Sequence, residues 1–519
     1  MLERERIIAR PGFNRWLVPP AALAIHLCIG MAYGFSVFWL PLGRALGVTE
    51  PITCPDLTLS QALFTVECDW RVSELGWIYT LFFVFLGSSA ALWGGWVERS
   101  GPRKAGVVSA VCWSGGIAIA AIGVMVHQLW IMWLGAGVIG GVGLGLGYIS
   151  PVSTLIKWFP DRRGMATGMA IMGFGGGAMI GAPLANLLMT RFQTPSSVGV
   201  WETLLVLAAI YFFAMMAGAF GYRIPPPGWQ PAGRTASAGS TAMPRRHVHL
   251  RDAHKTTQFW LIWAVLCLNV SAGIGIIGIA SPMLQDIFGA SAAVAAGFTG
   301  LISLFNIGGR FFWASLSDRI GRKTTYATFF ILGIALYALA PVAARSGNQA
   351  AFVLAICVIV SMYGGGFATI PAYLADIFGT QFVGAIHGRL LTAWSTAGII
   401  GPVVVNYIRE YQREMGVPWP MAYNVTLYIL AGMLVFGLIA NAFVRPLADR
   451  WFMKDEEVAA LQVRAAAATT AATTAVSQSS SDRGGLDLRT ALAWTAVGLP
   501  LAWGVWVTLS QALILFSTT

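Results

Sequence analysis

The sequence predicts an all-α membrane protein: two six-helix halves in parallel pseudo-twofold repeat, plus a thirteenth transmembrane helix. Three observations predict it. Hydrophobic residues make up 56% of the 519 residues and charged residues only 11%, against roughly 25% charged in soluble domains; mean hydropathy is +0.68. Apolar stretches of about 20 residues, enough to cross a hydrocarbon core of ~30 Å, recur along the whole chain. Landmarks in the first half of the chain also return in the second at one offset.

The stretches begin near Trp16, Glu74, Ala105, Trp130, Met165, Trp201, Gln258, Ser291, Thr324, Ala350, Gly388 and Met421, and a thirteenth runs from about Thr490 to Phe516. The first follows Arg4, Arg6, Arg10 and Arg15 but is long and lacks a small-residue cleavage site, so it reads as a retained span rather than a signal peptide. The 21 Trp and 60 Gly agree, since Trp favours membrane interfaces and Gly lets helices approach closely.

The formal charge of +11 does not point to nucleic acid, because of where it lies. Of 33 Lys and Arg, 26 fall in the N-terminus, the even-numbered connections and the 444–489 tail. Six fall in the odd-numbered connections and their edges: Arg44, Arg71, Arg191, Arg345, Arg409 and Arg413. This is the positive-inside asymmetry. It places the N-terminus in the cytoplasm and, with thirteen spans, the C-terminus outside. The remaining base is Arg310, read as the only one inside a span. Four cysteines (Cys28, Cys112, Cys267, Cys357) lie in apolar stretches as small buried side chains. Cys54 and Cys68 share the one long external loop, Gly43 to Ser73, where an oxidising exterior permits a disulfide, although spacing alone does not establish it.

The repeat is carried by Glu98-Arg99-Ser100-Gly101-Pro102-Arg103-Lys104 after span 2 and Asp318-Arg319-Ile320-Gly321-Arg322-Lys323 after span 8, acids and glycines both offset by 220. Pro151 and Pro371, near the ends of spans 4 and 10, keep that offset; Pro183 and Pro402, read as closing spans 5 and 11, keep it within a residue. The organisation that follows is an N-terminal half (1–222), a basic Pro/Gly/Ser-rich cytoplasmic linker (223–257), a C-terminal half (258–444), a cytoplasmic tail (445–489) with an Ala/Thr/Ser/Gln-rich stretch, and an added helix (490–519). Substrate sites in such repeats lie between the halves near the midplane.

The paired turns suit tight connections: Gly101 and Gly321 supply turn flexibility, and Glu98 and Asp318 can pair with arginines or cap a neighbouring helix. The pattern resembles the signature loop of the major facilitator superfamily. The resemblance implies a transporter fold in which Glu98, Arg99, Gly101, Asp318, Arg319, Gly321 and Arg322 control closure at the cytoplasmic end. Further motifs resemble the oxalate/formate antiporter family, related to the monocarboxylate transporters: Tyr33-Gly-Phe-Ser-Val-Phe38, Gly143-Leu-Gly-Leu-Gly-Tyr148, Asn306-Ile-Gly-Gly-Arg310 and Thr392-Ala-Trp394. They span roughly residues 12–445. The glycines do not form a phosphate loop, since no GxGxxG or GxxxxGK[ST] follows a strand.

That resemblance implies that Arg310 binds a substrate carboxylate. The charge inventory agrees by itself. A cation in hydrocarbon costs ~2.5–3.5 kcal/mol, all 22 acids lie in loops or at span edges, and a guanidinium matches a carboxylate bidentately. Snorkelling is the competing reading, but Arg310 lies eight residues, about 12 Å of helix, from Asp318. The family's site is lined by aromatics, and the counterparts are His26 and Tyr33 in span 1, Tyr148 in span 4, and Tyr363 with Phe367 in span 10. His26, two turns before Tyr33, either carries a proton near neutrality or is a hydrogen-bonded packing residue. Two departures matter. Oxalate carriers have a lysine as second cation where this chain has Trp394, and proton-coupled monocarboxylate carriers have an acid where this chain has Asn306.

The expectation is a secondary transporter of short monocarboxylates such as formate, lactate or pyruvate in the bacterial inner membrane, by exchange or cotransport with an anion or proton. The alternatives are an oxalate:formate antiporter proper, a proton-coupled symporter and, remotely, a transporter-like sensor. A membrane enzyme would need convergent acid/base groups or metal ligands that the spans lack. No cofactor, metal or nucleic-acid partner is expected, and the protein is expected to act as a monomer. The thirteenth span, with Trp494, Gly498, Pro500, Trp503 and Trp506, resembles single-span small subunits encoded beside such transporters, here fused; the competing reading is a generic lipid-facing helix.

Overall fold

The computed structural model describes residues 2–10, 12–54, 57–159, 163–226, 229, 246–379, 382–454, 456–458 and 487–517. Within them, thirteen helices are long and apolar enough to cross a membrane. Spans 1–6 cover Arg15–Leu42, Val72–Val97, Pro102–Met125, Leu129–Leu155, Ile171–Phe192 and Val200–Gly221. Spans 7–12 cover Thr257–Ile277, Ala292–Ile320, Arg322–Arg345, Gln349–Phe378, Val383–Glu414 and Trp419–Phe443, and span 13 starts at Leu488. One end of the bundle, the linker end, carries the described residues 223–226 and 246–257; the other, the loop end, carries the connection between spans 1 and 2.

The repeat is visible in the helix bounds. The helix Val72–Ser100 and its counterpart Ala292–Ile320 each have 29 residues, and Pro102–Met125 and Arg322–Arg345 each have 24. Gly101 and Gly321 join the pairs at φ +88° and +86°, a backbone that L side chains rarely adopt. The basic residues that follow do the same work in both halves. Arg103 donates to the carbonyls of Phe220 and Tyr222 at the end of span 6, and Lys323 to those of Ala442 and Val444 at the end of span 12. A cation there satisfies the orphan carbonyls of a helix C-terminus.

Several helices depart from plain α geometry. Span 1 passes into a 3₁₀ segment over Gly30–Phe38. Span 7 breaks at Gly278 and Ile279 before a short helix, Ala280–Phe288, and span 4 contains a π segment, Trp133–Gly140. Pro183 and Pro402 do not close their spans: both lie inside helices that continue to Phe192 and Glu414. A membrane helix tolerates an interior proline because neighbouring helices and local adjustments satisfy the freed carbonyl.

The expectation that Arg310 is the only base within a span also needs correction. Span 11 runs longer than a minimal apolar stretch and takes in Arg409, which is 4% exposed. Its guanidinium pairs with Asp286 at 2.7 Å and donates to the Tyr423 hydroxyl at 2.7 Å. Arg409 is therefore a neutralised structural cation, tying the short helix after span 7 to spans 11 and 12.

At the loop end Cys54 and Cys68 form a disulfide, with Cα atoms 5.9 Å apart. The Asp69 carboxylate accepts from the backbone N–H groups of Leu46, Gly47 and Ile52 at 2.7–3.1 Å. His127 stacks on Trp70 with centroids 3.9 Å apart and bonds the Cys68 carbonyl.

The halves touch closely at the loop end, and spans 2 and 11 diverge toward the linker end. Trp39 Nε1 donates to Gly278 O (2.7 Å), Ser73 N–H and O–H to the Glu410 carboxylate (2.8 and 2.6 Å), and Trp77 Nε1 to the Tyr407 hydroxyl (3.0 Å). Spans 2 and 11 run antiparallel so tightly that a Cβ at Gly76 would meet Asn406 at 2.0 Å and one at Gly87 would meet Ser395 at 1.9 Å. Two turns further along the same faces, at Gly94 and at Gly388, an added Cβ would have nothing within 4 Å.

Candidate binding site between the halves

Arg310 lies in the linker-side half of span 8 and is 4% exposed. Its Nε donates to Asn306 Oδ1, one turn earlier, at 3.1 Å. One terminal nitrogen, Nη1, is buried without a protein hydrogen-bond partner, and among the described residues no carboxylate forms an ion pair with it. The guanidinium lies 5.8 Å from the Phe367 ring centroid, in cation–π range. The room around it depends on a residue that sequence reasoning did not single out. A Cβ on Gly175, in span 5, would sit 3.3 Å from Arg310 Nε and 3.4 Å from Asn306 Oδ1.

Aromatic rings from both halves close around this place. Trp394, 1% exposed, packs on Phe367 (4.6 Å between centroids), Tyr148 (5.3 Å), Phe83 (5.6 Å) and Phe174 (5.7 Å). Tyr33 meets Phe174 edge-on at 4.9 Å, and Tyr363 meets Phe367 at 5.3 Å. The Tyr33 and Tyr363 hydroxyls bond each other at 2.7 Å, joining spans 1 and 10 across the interface between the halves. A crevice beside them, too narrow to admit a water molecule, is lined by Tyr33, Thr299, Ser303 and Asn306, with apolar neighbours.

The structure thus brings Arg310, Asn306, Tyr33, Tyr148, Tyr363, Phe367 and Trp394 into one buried cluster. His26 stands behind it: its Nε2 is 3.1 Å from the Tyr148 carbonyl and its ring stacks on Tyr148. Both His26 and Tyr33 reach Phe174 despite the change of helix type between them. Phe83 and Phe174 are members that the sequence reading missed. The only hint is Phe174, alone in the glycine run Gly173–Gly177, where a single large side chain fills what the glycines leave open.

At the linker end, Arg322 binds Ser317 and Asp318 and lies 3.7 Å from Asp376 of span 10. Arg99 and Arg319 are exposed, and the Glu98 side chain lies outside the described residues. Arg103 and Lys323 belong to the repeated turn motifs read from sequence, but their role as caps of spans 6 and 12 shows only in the structure.

Comparison with known proteins agrees with this architecture. The chain belongs to the Major Facilitator Superfamily, whose model matches residues 21–402. It is a multi-pass membrane transporter rather than an enzyme. It is similar to the oxalate:formate antiporter of Oxalobacter formigenes, 26% identical over 75% of this chain and 83% of that one. It is also similar to human monocarboxylate transporter 11, at 25% identity over 81% of this chain and 82% of that one, and to apicoplast pyruvate carrier 1 of Toxoplasma gondii, at 25% over 61% and 66%. Among solved structures it shares its fold with a D-xylose–proton symporter, with TM-score 0.62, 14% identity, and 84% of this chain and 98% of that one covered.

Proposed function

We propose that the protein carries short monocarboxylates such as formate, lactate or pyruvate by alternating access, through exchange or cotransport, with Arg310 as the carboxylate-binding residue. The observation that carries this reading is the buried guanidinium with an unsatisfied Nη1 and, among the described residues, no carboxylate partner. A substrate carboxylate supplies both the missing charge and the missing acceptor. Asn306 holds Nε, which fixes the plane of the guanidinium without neutralising it. The rings of Tyr33, Tyr148, Phe174, Phe367 and Trp394 exclude water, so the pairing acts in a medium of low dielectric.

Trp394 favours a monoanion. A dicarboxylate paired with Arg310 alone would keep one charge in the bilayer interior, at a cost of ~2.5–3.5 kcal/mol. The balance also favours exchange over leak, because the empty site keeps its positive charge and the filled site does not. The charge distribution supports the linker end as cytoplasmic and the loop end and C-terminus as external, and the resemblance of span 13 to single-span small subunits supports a bacterial inner membrane as the setting. On that reading the turns at 98–104 and 318–323 close the cytoplasmic side when the loop end opens.

The test is counterflow uptake of labelled formate, lactate, pyruvate and oxalate into proteoliposomes by wild type and Arg310→Gln. Monoanion uptake that the substitution abolishes is expected. Unchanged uptake in Arg310→Gln overturns the role of Arg310, and oxalate preferred over every monoanion overturns the role of Trp394.

A further inference from the structure

We propose that span 13 is a strap that holds the loop ends of the two halves together and biases the carrier toward the linker-end-open conformation; this rests on the alternating-access reading above. The helix Leu488–Ser517 is attached at three levels. At the linker end it belongs to the first half: Asn14 Nδ2 donates to the Thr490 hydroxyl at 3.0 Å, and Trp494 Nε1 to the Trp16 carbonyl at 3.1 Å. Midway, Gly504 lies so close to span 5 that an added Cβ would meet Ile180 at 2.9 Å and Met179 O at 3.1 Å.

At the loop end the helix crosses to the second half. Added Cβ atoms on Gly297 and Gly300 of span 8 would meet Gln511 Cβ and Thr508 Oγ1, each at 2.3 Å. Thr508 touches both halves at once, because its hydroxyl also donates to Met179 O of span 5 at 3.4 Å. Gly504, Thr508 and Gln511 follow i, i+4, i+7 spacing, one face of a helix. Thr508 on that face is fully buried, whereas Leu492, Leu499, Trp506 and Leu513 are 61–72% exposed. Small residues at such a seam allow the backbone approach that drives helix association in lipid.

The mechanical consequence follows from what the strap joins. Opening the loop end separates spans 5 and 8 there, and a helix bound to Met179 of one and seated on Gly297 and Gly300 of the other cannot follow both. Being tied to Asn14 and Trp16, it must leave span 8. Room for that pivot exists beside Pro500, where an apolar pocket of about 160 Å³ separates Ala496, Val497 and Pro500 from spans 1, 5 and 6. Span 8 is one continuous helix from Ala292 to Ile320, so strain applied at Gly300 reaches Arg310, ten residues and about 15 Å along it.

The experiment measures conformation rather than transport. Spin labels on exposed loop-end positions, Gln193→Cys and Ser346→Cys, report the distance between halves in the full chain, with Cys28, Cys112, Cys267 and Cys357 replaced by Ala. Gly300→Ala, which collides with Thr508, is expected to raise the loop-end-open population severalfold, and Gly300→Ala/Thr508→Ala to return it toward wild type. Thr508→Leu, which leaves the twelve-span body unaltered, is expected to act like Gly300→Ala and serves if that variant does not fold. An unchanged distribution in both, or a shift that the double variant does not reverse, overturns the strap. A wild type with one loop-end distance, with and without saturating pyruvate, formate or lactate, overturns alternating access and the strap together.

Discussion

Arg310 and Asn306 form a half-finished ion pair, and the chemistry of the site turns on what finishes it. Asn306→Asp would place a titratable counter-ion one turn from the guanidinium. Pyruvate uptake is then expected to fall at neutral pH and recover as the medium is acidified, which a pH series of initial rates checks. Gly175→Val would push a branched side chain against Arg310 Nε, which lies 3.3 Å from a Cβ there; a KM at least tenfold higher is expected, with the protein still folded. Arg310 was legible in the sequence because a base in an apolar stretch is costly and rare. Phe83, Phe174 and Gly175 were not, because aromatic residues make up 12% of the chain and glycines number 60, so neither type stands out without a third dimension. The sequence also misplaced Arg409, whose partner Asp286 lies on a different element.

The paired turns and the external loop can be tested as elements. Gly321 has positive φ and no atom near an added Cβ, so Gly321→Ala isolates backbone strain. A loss of about 1–3 kcal/mol is expected, read as a lower unfolding temperature in detergent. Against the loop, burial lowers the pKa of His127, which stacks on Trp70 from the connection between spans 3 and 4, opposed by its bond to the Cys68 carbonyl and by the charge of Asp69. A lowered folded pKa means the loop's stability is full above about pH 6.5, the unfolded value, and falls as pH drops through it toward the folded value. Hydrogen exchange over residues 43–73 is expected to quicken at about pH 5, relative to neutral pH, once the intrinsic rate is corrected. The disulfide closes a loop of this size at a gain of ~3 kcal/mol, so reduction should add to the effect. Span positions were readable from hydropathy to within a few residues. The breaks in spans 1 and 7 were not, because glycine in a membrane helix serves packing as often as bending, and only the neighbour decides.

At the scale of the molecule, the 220-residue offset in the sequence reappears as equal helices, equal glycine turns and equal helix-capping bases in both halves. That much was legible because each landmark is local. Which end is closed was not, since one sequence has to serve both conformations and the difference lies in contacts such as Ser73 with Glu410. Spans 2 and 11 part beyond Gly87 toward the linker end, while the Tyr33–Tyr363 bond and the Trp39, Ser73 and Trp77 contacts hold the halves together on the other side. The most direct test of the central claim is equilibrium binding of labelled pyruvate and formate to the purified protein, wild type against Arg310→Gln. Losing one partner of a buried charge pair costs about 2–5 kcal/mol, so binding should weaken roughly 30-fold to several-thousand-fold. Equal saturable binding by both proteins would contradict it.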